Sequence, residues 1–179
     1  MQTEALQSLV KAAKRRPLWE RGPATRDVYI GRPGIERMLE HREPFLFVDG
    51  IRAVDLEQGA LRGDRTIHPD DPLFAGHFPG QPLYPGVLQL ETMGQFGLCL
   101  LHLARTGNVA IASDEKPRPV RALRIHHALF LQAVGPGDEL EVLARLVARD
   151  DYTAVCAGQI RRAGEVCSLA VMEVYLVDE

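Results

Sequence analysis

Pro85-Gly86-Val87-Leu88-Gln89-Leu90-Glu91-Thr92-Met93-Gly94-Gln95-Phe96-Gly97-Leu98-Cys99-Leu100-Leu101-His102-Leu103-Ala104-Arg105 is the stretch on which the fold turns. Its apolar side chains, from Val87 and Leu88 through Met93 and Phe96 to Leu103, leave little polar surface on a helix, so the helix must be enclosed by other elements. Thr106-Gly107-Asn108 supplies a stop, with Gly107 able to take a left-handed cap. On the N-terminal side, Asp70 to Pro85 contains Pro72, Gly76, Pro79, Gly80, Pro82 and Pro85, which prevents a continuous helix or a central strand and leaves a shaped loop.

Working outward, strand patterns recur on both sides. Phe45 to Val54 and Ala60 to Ile67 read as a first hairpin turning near Gln58-Gly59, with Pro44 favouring an extended entry and a short helical signal at Ile35 to Leu39 ahead of it. After the helix come strand signals at Val120 to Val134, Glu139 to Ala148, Thr153 to Arg161 and Val166 to Val177, with turns at Gly135-Pro136-Gly137-Asp138 and Ala163-Gly164. One enclosed helix followed by a long antiparallel set gives an α+β class, a curved sheet wrapped around the helix.

The chain divides into residues 1–33, an amphipathic arm and a polar, Gly/Pro-containing linker, and residues 34–179, one compact domain. In the arm, Leu6, Leu9, Val10 and Ala13 fall at helical spacing between Thr3 and Arg16, with Lys11, Lys14, Arg15 and Arg16 near the end and Pro17 as the stop. Such a helix either docks on an acidic protein or membrane surface or packs its apolar stripe on its own domain. A composition of 46% hydrophobic and 25% charged residues over 179 positions is that of a packed chain, and a net charge of -3 argues against nucleic-acid binding through overall positive charge. Cys99, Cys156 and Cys167 are odd in number and lack paired metal-ligand spacing, so each reads as a small buried apolar residue and no metal site is expected. The N-terminus lacks an apolar signal core, and the longest apolar stretch, around Phe96 to Ala104, is too short and interrupted for a membrane span, so a cytoplasmic location is expected.

The reactive groups gather where loop meets helix. Gly76-His77-Phe78-Pro79-Gly80 sets a histidine in the shaped loop, Pro85-Gly86-Val87 opens the helix, and Glu91 lies inside it. A base, a carboxylic acid and a helix N-terminus are the parts needed to eliminate water from an acyl thioester. One takes the proton beside the carbonyl, one protonates the departing 3-hydroxyl, and main-chain N–H groups meet the charge on the thioester oxygen. Gln95 follows Glu91 by four residues and shares its face, although such a pair taken alone is an ordinary polar helix contact.

Gly76-His77-Phe78-Pro79-Gly80, Pro82, Pro85-Gly86-Val87, Glu91 and Gln95, with His41-Arg42-Glu43-Pro44-Phe45-Leu46-Phe47-Val48-Asp49 and the Pro136-Gly137-Asp138 turn, resemble the FabZ-type 3-hydroxyacyl-[acyl-carrier-protein] dehydratases of bacterial fatty-acid synthesis. The resemblance begins at about Ile35 and leaves the arm without a counterpart. It implies a hot-dog fold with the helix inside the sheet, a homodimer or dimer-based oligomer, a pantetheine-linked substrate presented by acyl carrier protein, and no metal or redox cofactor. It also implies that His77 is the base and Glu91 the acid, contributed to each pocket by opposite subunits. Glutamate at position 91 and Phe78-Pro79-Gly80 are closer to this pattern than to the related dehydratase-isomerases, which carry aspartate at the acid position. On this view neutral His77 takes the proton, desolvation keeps Glu91 protonated, Gly86 is the main thioester oxyanion donor with Val87 second, and Gln95 orients the acid or a shared water.

Several positions depart from the family or stay open. Tyr84 stands where smaller or flexible apolar residues are familiar, and it either narrows the acyl tunnel or is a packing difference. Arg121 and Arg124, with Arg118 or the basic end of the arm, are candidates for carrier docking, or ordinary solvated surface. Leu129, Leu131 and Gln132 replace basic residues common in the family before the Pro-Gly-Asp turn. His41 reads as a channel or subunit contact, or as a structural polar contact, and adjacent His126 and His127 point to opposite strand faces and make no metal site. The alternatives to a dehydratase making a trans-2-enoyl thioester, in fatty-acid or related polyketide-type synthesis, are a non-catalytic acyl-binding hot-dog protein and a hot-dog thioesterase.

Overall fold

The computed structural model describes residues 3–177. Along the chain, α1 (Thr3–Ala13), β1 (Arg26–Ile30), α2 (Arg32–Met38), β2 (Gly50–Asp55) and β3 (Ala60–Thr66) precede a 3-10 turn at Pro72–Ala75 and the helix α3 (Gly86–Thr106). Strands β4 (Val120–Phe130), β5 (Glu139–Arg149), β6 (Thr153–Arg162) and β7 (Glu165–Leu176) follow. They form one antiparallel 7-stranded sheet in the order β1-β2-β3-β5-β6-β7-β4.

The sheet holds α3 against β5, β6 and β7. Pro85 has the extended backbone of an N-cap, and Gly107 ends the helix at φ 64 with its N–H returned to Leu103 O, the left-handed stop read from the sequence. Met93, Phe96, Cys99, Leu100 and Leu103 of α3 share a core with Ile51, Leu61, Val142 and Ile160 of the sheet. The helix comes so close at Gly158 of β6 that a Cβ there would lie 2.5 Å from Met93 Cβ.

The opposite face of the sheet is also covered. Val10 and Ala13 of α1, with Leu18 and Trp19, are buried against Ala53, Leu143, Val155 and Leu169. Gln159 of β6, wholly buried there, donates from Nε2 to Ala13 O at 2.6 Å and Arg16 O at 2.8 Å and accepts from Leu18 N at 3.0 Å. The Trp19 indole N–H donates to Leu61 O at 2.9 Å. The arm helix therefore packs its apolar stripe on its own sheet, and the carbonyls orphaned at its C-terminal end are met by a side chain from that sheet.

Several segments differ from the sequence reading, among them the strand expected over Val120 to Val134, which ends at Phe130. The linker contains β1, which pairs with β2 at Arg26↔Val54, Asp27↔Ala53 and Ile30↔Ile51, a short irregular edge strand with too little alternation to be seen in the sequence. The strand expected from Phe45 begins only at Gly50. Between them a side chain replaces a strand partner: Phe47 N–H donates to Gln95 Oε1 at 2.7 Å, and Gln95 Nε2 donates to Phe45 O at 3.0 Å. Among the described residues no helix is long and apolar enough to cross a membrane.

Candidate active site

The loop before α3 is built by its own main chain. Asp71 accepts from Leu73 N at 2.9 Å and so caps the 3-10 turn, Gly76 and His77 N–H groups both return to Leu73 O, and Phe78 and Gln81 bond each other. His77 is then held from both sides by Leu83, whose N–H donates to His77 O at 2.9 Å and whose carbonyl lies 2.7 Å from His77 Nδ1. A carbonyl oxygen only accepts, so the neutral ring carries its proton on Nδ1 and presents its lone pair at Nε2. The Phe78 ring stacks on the imidazole with centroids 4.0 Å apart.

Gly86 and Val87 open α3, and their N–H groups have no acceptor among the described residues. The backbone at position 86 runs close to Phe130, so that a Cβ there would stand 3.0 Å from its ring. The Val87 side chain is 70% exposed. Tyr84 is 1% exposed and packed in the main core; its N–H donates to Val134 O at 2.7 Å and burial pushes its phenol up.

One turn further, Glu91 meets two partners. Gln95 Nε2 donates to its Oε1 at 2.9 Å, and His41 Nε2 lies 3.2 Å from the same oxygen. Gln95 is wholly buried, and its amide orientation is fixed because Oε1 faces the Phe47 N–H while Nε2 serves Phe45 O and Glu91. Within a single copy of the chain, desolvation does not prevail at Glu91. Its carboxyl is held below the usual range, chiefly by the His41 hydrogen bond and with help from Gln95, against the opposing effect of partial burial.

Glu91 lines a groove of about 620 Å³ between α3 and the β4–β7 edge, with Val87, Leu90, Gly94, Ile125 and Met172 among its walls. A neighbouring cavity of about 540 Å³ shares His41, Leu98 and Val120 with it and continues to His102, Arg105 and Arg118. The groove that Glu91 lines does not include His77, and no hydrogen bond joins the two side chains within the chain. The structure thus brings together Glu91, Gln95 and the unforeseen His41, and leaves His77 with the helix N-terminus. His41 stands in the segment that carried part of the family resemblance, but its sequence distance from Glu91 gave no sign of contact.

Arg121 and Arg124 are exposed on β4, Arg124 at the wall of the groove and Arg121 with Nη1 turned to Val120 O at 3.0 Å. Among the described residues β4 pairs only with β7, so its other edge is unpaired there, and Leu123, Ile125 and Phe130 on it are 54%, 55% and 50% exposed. Such an edge sets unpaired backbone groups beside exposed apolar side chains at the groove.

Comparison with known proteins places this site in context. The model of the FabA-like domain matches residues 39–167. The chain is 34% identical over 146 residues to the 3-hydroxyacyl-[acyl-carrier-protein] dehydratase FabZ of a Nitratiruptor species, covering 81% of this chain and 96% of that protein. It is 40% identical over 147 residues to the enzyme of the same name from Chlamydia abortus, covering 79% and 91%. Among solved structures, it is similar to the dehydratase heterocomplex ApeI:P from Xenorhabdus doucetiae, with a TM-score of 0.63 at 16% identity over 81% of this chain and 91% of that one. It is also similar to a putative thioesterase, a phenylacetic acid degradation-related protein from Ralstonia eutropha JMP134, with a TM-score of 0.51 at 21% identity over 70% and 83%. These likenesses give the hot-dog fold.

Proposed function

The chain belongs to the FabA-like domain family, and from that membership we propose that it dehydrates a 3-hydroxyacyl thioester carried on acyl carrier protein to the trans-2-enoyl thioester. His77 Nε2 removes the proton beside the thioester carbonyl. The electron pair moves onto the thioester oxygen, where the Gly86 N–H, seconded by that of Val87, meets the charge. As the double bond forms, the bond from carbon 3 to oxygen breaks, and the hydroxyl leaves as water with a proton from the acid form of Glu91, which is restored when the proton taken by His77 is returned through solvent. Acid and base steps alone balance the reaction.

The observation that carries this reading is the hold of Leu83 O on His77 Nδ1, which leaves Nε2 as the basic nitrogen in the loop that opens α3. The assignment of His77 and Glu91 to one pocket requires two copies of the chain, with His77 from one reaching the Glu91 groove of the other. The free apolar edge of β4 supports a homodimer formed there. Arg121 and Arg124 guide the acidic carrier to that groove, and the buried free cysteines suit a reducing cytoplasm.

Incubation of the purified protein with short and long 3-hydroxyacyl carrier substrates, following enoyl product and free acid separately, tests the reading. Enoyl product is expected, and in His77→Ala and Glu91→Ala its rate falls by at least about a hundredfold. Substrate bound without turnover, or release of free acid alone, overturns it in favour of an acyl-binding protein or a thioesterase.

A further inference from the structure

We propose that His41 is a positioning residue for Glu91: with Gln95 it occupies one carboxylate oxygen and so commits the other to the departing hydroxyl. This rests on the reading of Glu91 as the proton donor. Oε1 of Glu91 accepts from Gln95 at 2.9 Å and has His41 Nε2 at 3.2 Å. Oε2 has no partner among the described residues, yet it is not sealed from solvent as His41 Nδ1 is.

The orphaned Nδ1 fixes the role of the ring. It is buried with no hydrogen-bond partner among the described residues, so a proton there would be stranded, whereas a proton on Nε2 finds Oε1. His41 is therefore the donor and Glu91 the acceptor. The ring is also braced. It stacks on Phe45 with centroids 6.4 Å apart and planes at 21°, and the Phe45 carbonyl is held by the same Gln95 amide that reaches Glu91. Gln95, Phe45, His41 and Glu91 form a closed circuit, anchored on buried Gln95.

Other charged groups are nearby but engaged elsewhere. Arg124 from β4 and Glu173 from β7 line the same groove, and neither contributes to the displacement of the Glu91 carboxyl. Glu173 is bonded to His126 at 2.8 Å. Beside His41, Arg42 is turned to the Leu39, His41 and Glu36 carbonyls, and Glu40 faces the adjoining cavity.

The chemical consequence follows from counting lone pairs. With Gln95 donating to Oε1 at 2.9 Å and His41 Nε2 lying 3.2 Å from it, the proton of the acid form sits on Oε2, facing the groove. When the bond from carbon 3 to oxygen breaks, the oxygen keeps the electron pair and takes that proton. The charge left on the carboxylate is met by the N–H groups of His41 and Gln95, which makes Glu91 a stronger acid as well as an oriented one.

The test compares His41→Leu, which removes the donor, with His41→Gln, which supplies an amide N–H in its place. Glu91 is titrated by carboxyl 13C NMR in glutamate-labelled protein, its resonance assigned by disappearance in Glu91→Gln, and kcat and KM are measured alongside. In His41→Leu the Glu91 midpoint is expected to rise by about one pH unit or more, with kcat down at least about tenfold and KM within about twofold. His41→Gln is expected to recover most of both. A midpoint and kcat unmoved in His41→Leu, or a His41→Gln protein that behaves like His41→Leu, overturns the proposal alone. Normal turnover by Glu91→Gln overturns it together with the reading beneath it.

Discussion

Glu91 has two opposing influences on its proton, and the number of donors around it decides between them. Partial burial favours the neutral acid, but the His41 and Gln95 N–H groups favour the carboxylate and prevail. Because the folded state holds this carboxyl below its unfolded value, the contact stabilises the protein above the ordinary glutamate range and the contribution is lost as pH falls through the lower folded value. Urea unfolding measured across the acid range is therefore expected to fall less steeply with pH in Glu91→Gln than in the parent protein. Gln95 has a larger structural part, since Gln95→Leu strands the buried Phe47 N–H and is expected to cost about 1–3 kcal/mol for that unsatisfied group. Its urea midpoint checks this, and the Glu91 titration should move in the same protein. His77, Glu91 and Gln95 stood out in the sequence because they lie in recognisable motifs. The contact of His41 with Glu91 did not, because fifty positions separate two residues that meet at one oxygen.

At the scale of elements, α3 was readable from end to end. An apolar run with few polar interruptions, opened by Pro85-Gly86 and stopped at Gly107, has no other way to satisfy both its backbone and its side chains. The last three strands were found to within a residue of their ends because each is bounded by a turn, while β4 stops at Phe130, four residues short of the reading. Two elements escaped for different reasons. β1 is a five-residue edge strand whose exposed, charged positions hide its pairing, and residues 45–49 have strand-like chemistry but find Gln95 where a neighbouring strand would be. The bearing of α3 on the sheet rests on Gly158. Gly158→Ala places a methyl group against Met93 Cβ and is expected to destabilise by about 1–3 kcal/mol, seen as a lowered urea midpoint. A shift of α3 also moves Glu91 relative to β4, so kcat is expected to fall in the same variant.

For the whole molecule, both faces of the sheet matter. The helix face bears the groove, while the other face would be an open apolar surface if α1, Leu18 and Trp19 did not cover it. Deletion of residues 1–19 is expected to lower the urea midpoint and to produce larger species by light scattering, because Leu143, Val155 and Leu169 become exposed. A milder change isolates the polar contact: Gln159→Leu leaves the Ala13 and Arg16 carbonyls and the Leu18 N–H unmet, at a cost of about 1–3 kcal/mol per buried unsatisfied group, with the arm still present.

The strand order also has a consequence in time. β4 is the first strand after α3, yet among the described residues its sole sheet neighbour is β7, the last of these seven strands to be made. Glu91, Gln95 and His41 all emerge during synthesis well before the wall that faces them can be set in place. A chain that stops short of Glu165 has every residue of the proposed chemistry and no groove to use it in. Such chains leave β4 unanchored and β6 with an open side, so they are candidates for clearance rather than for slow catalysis.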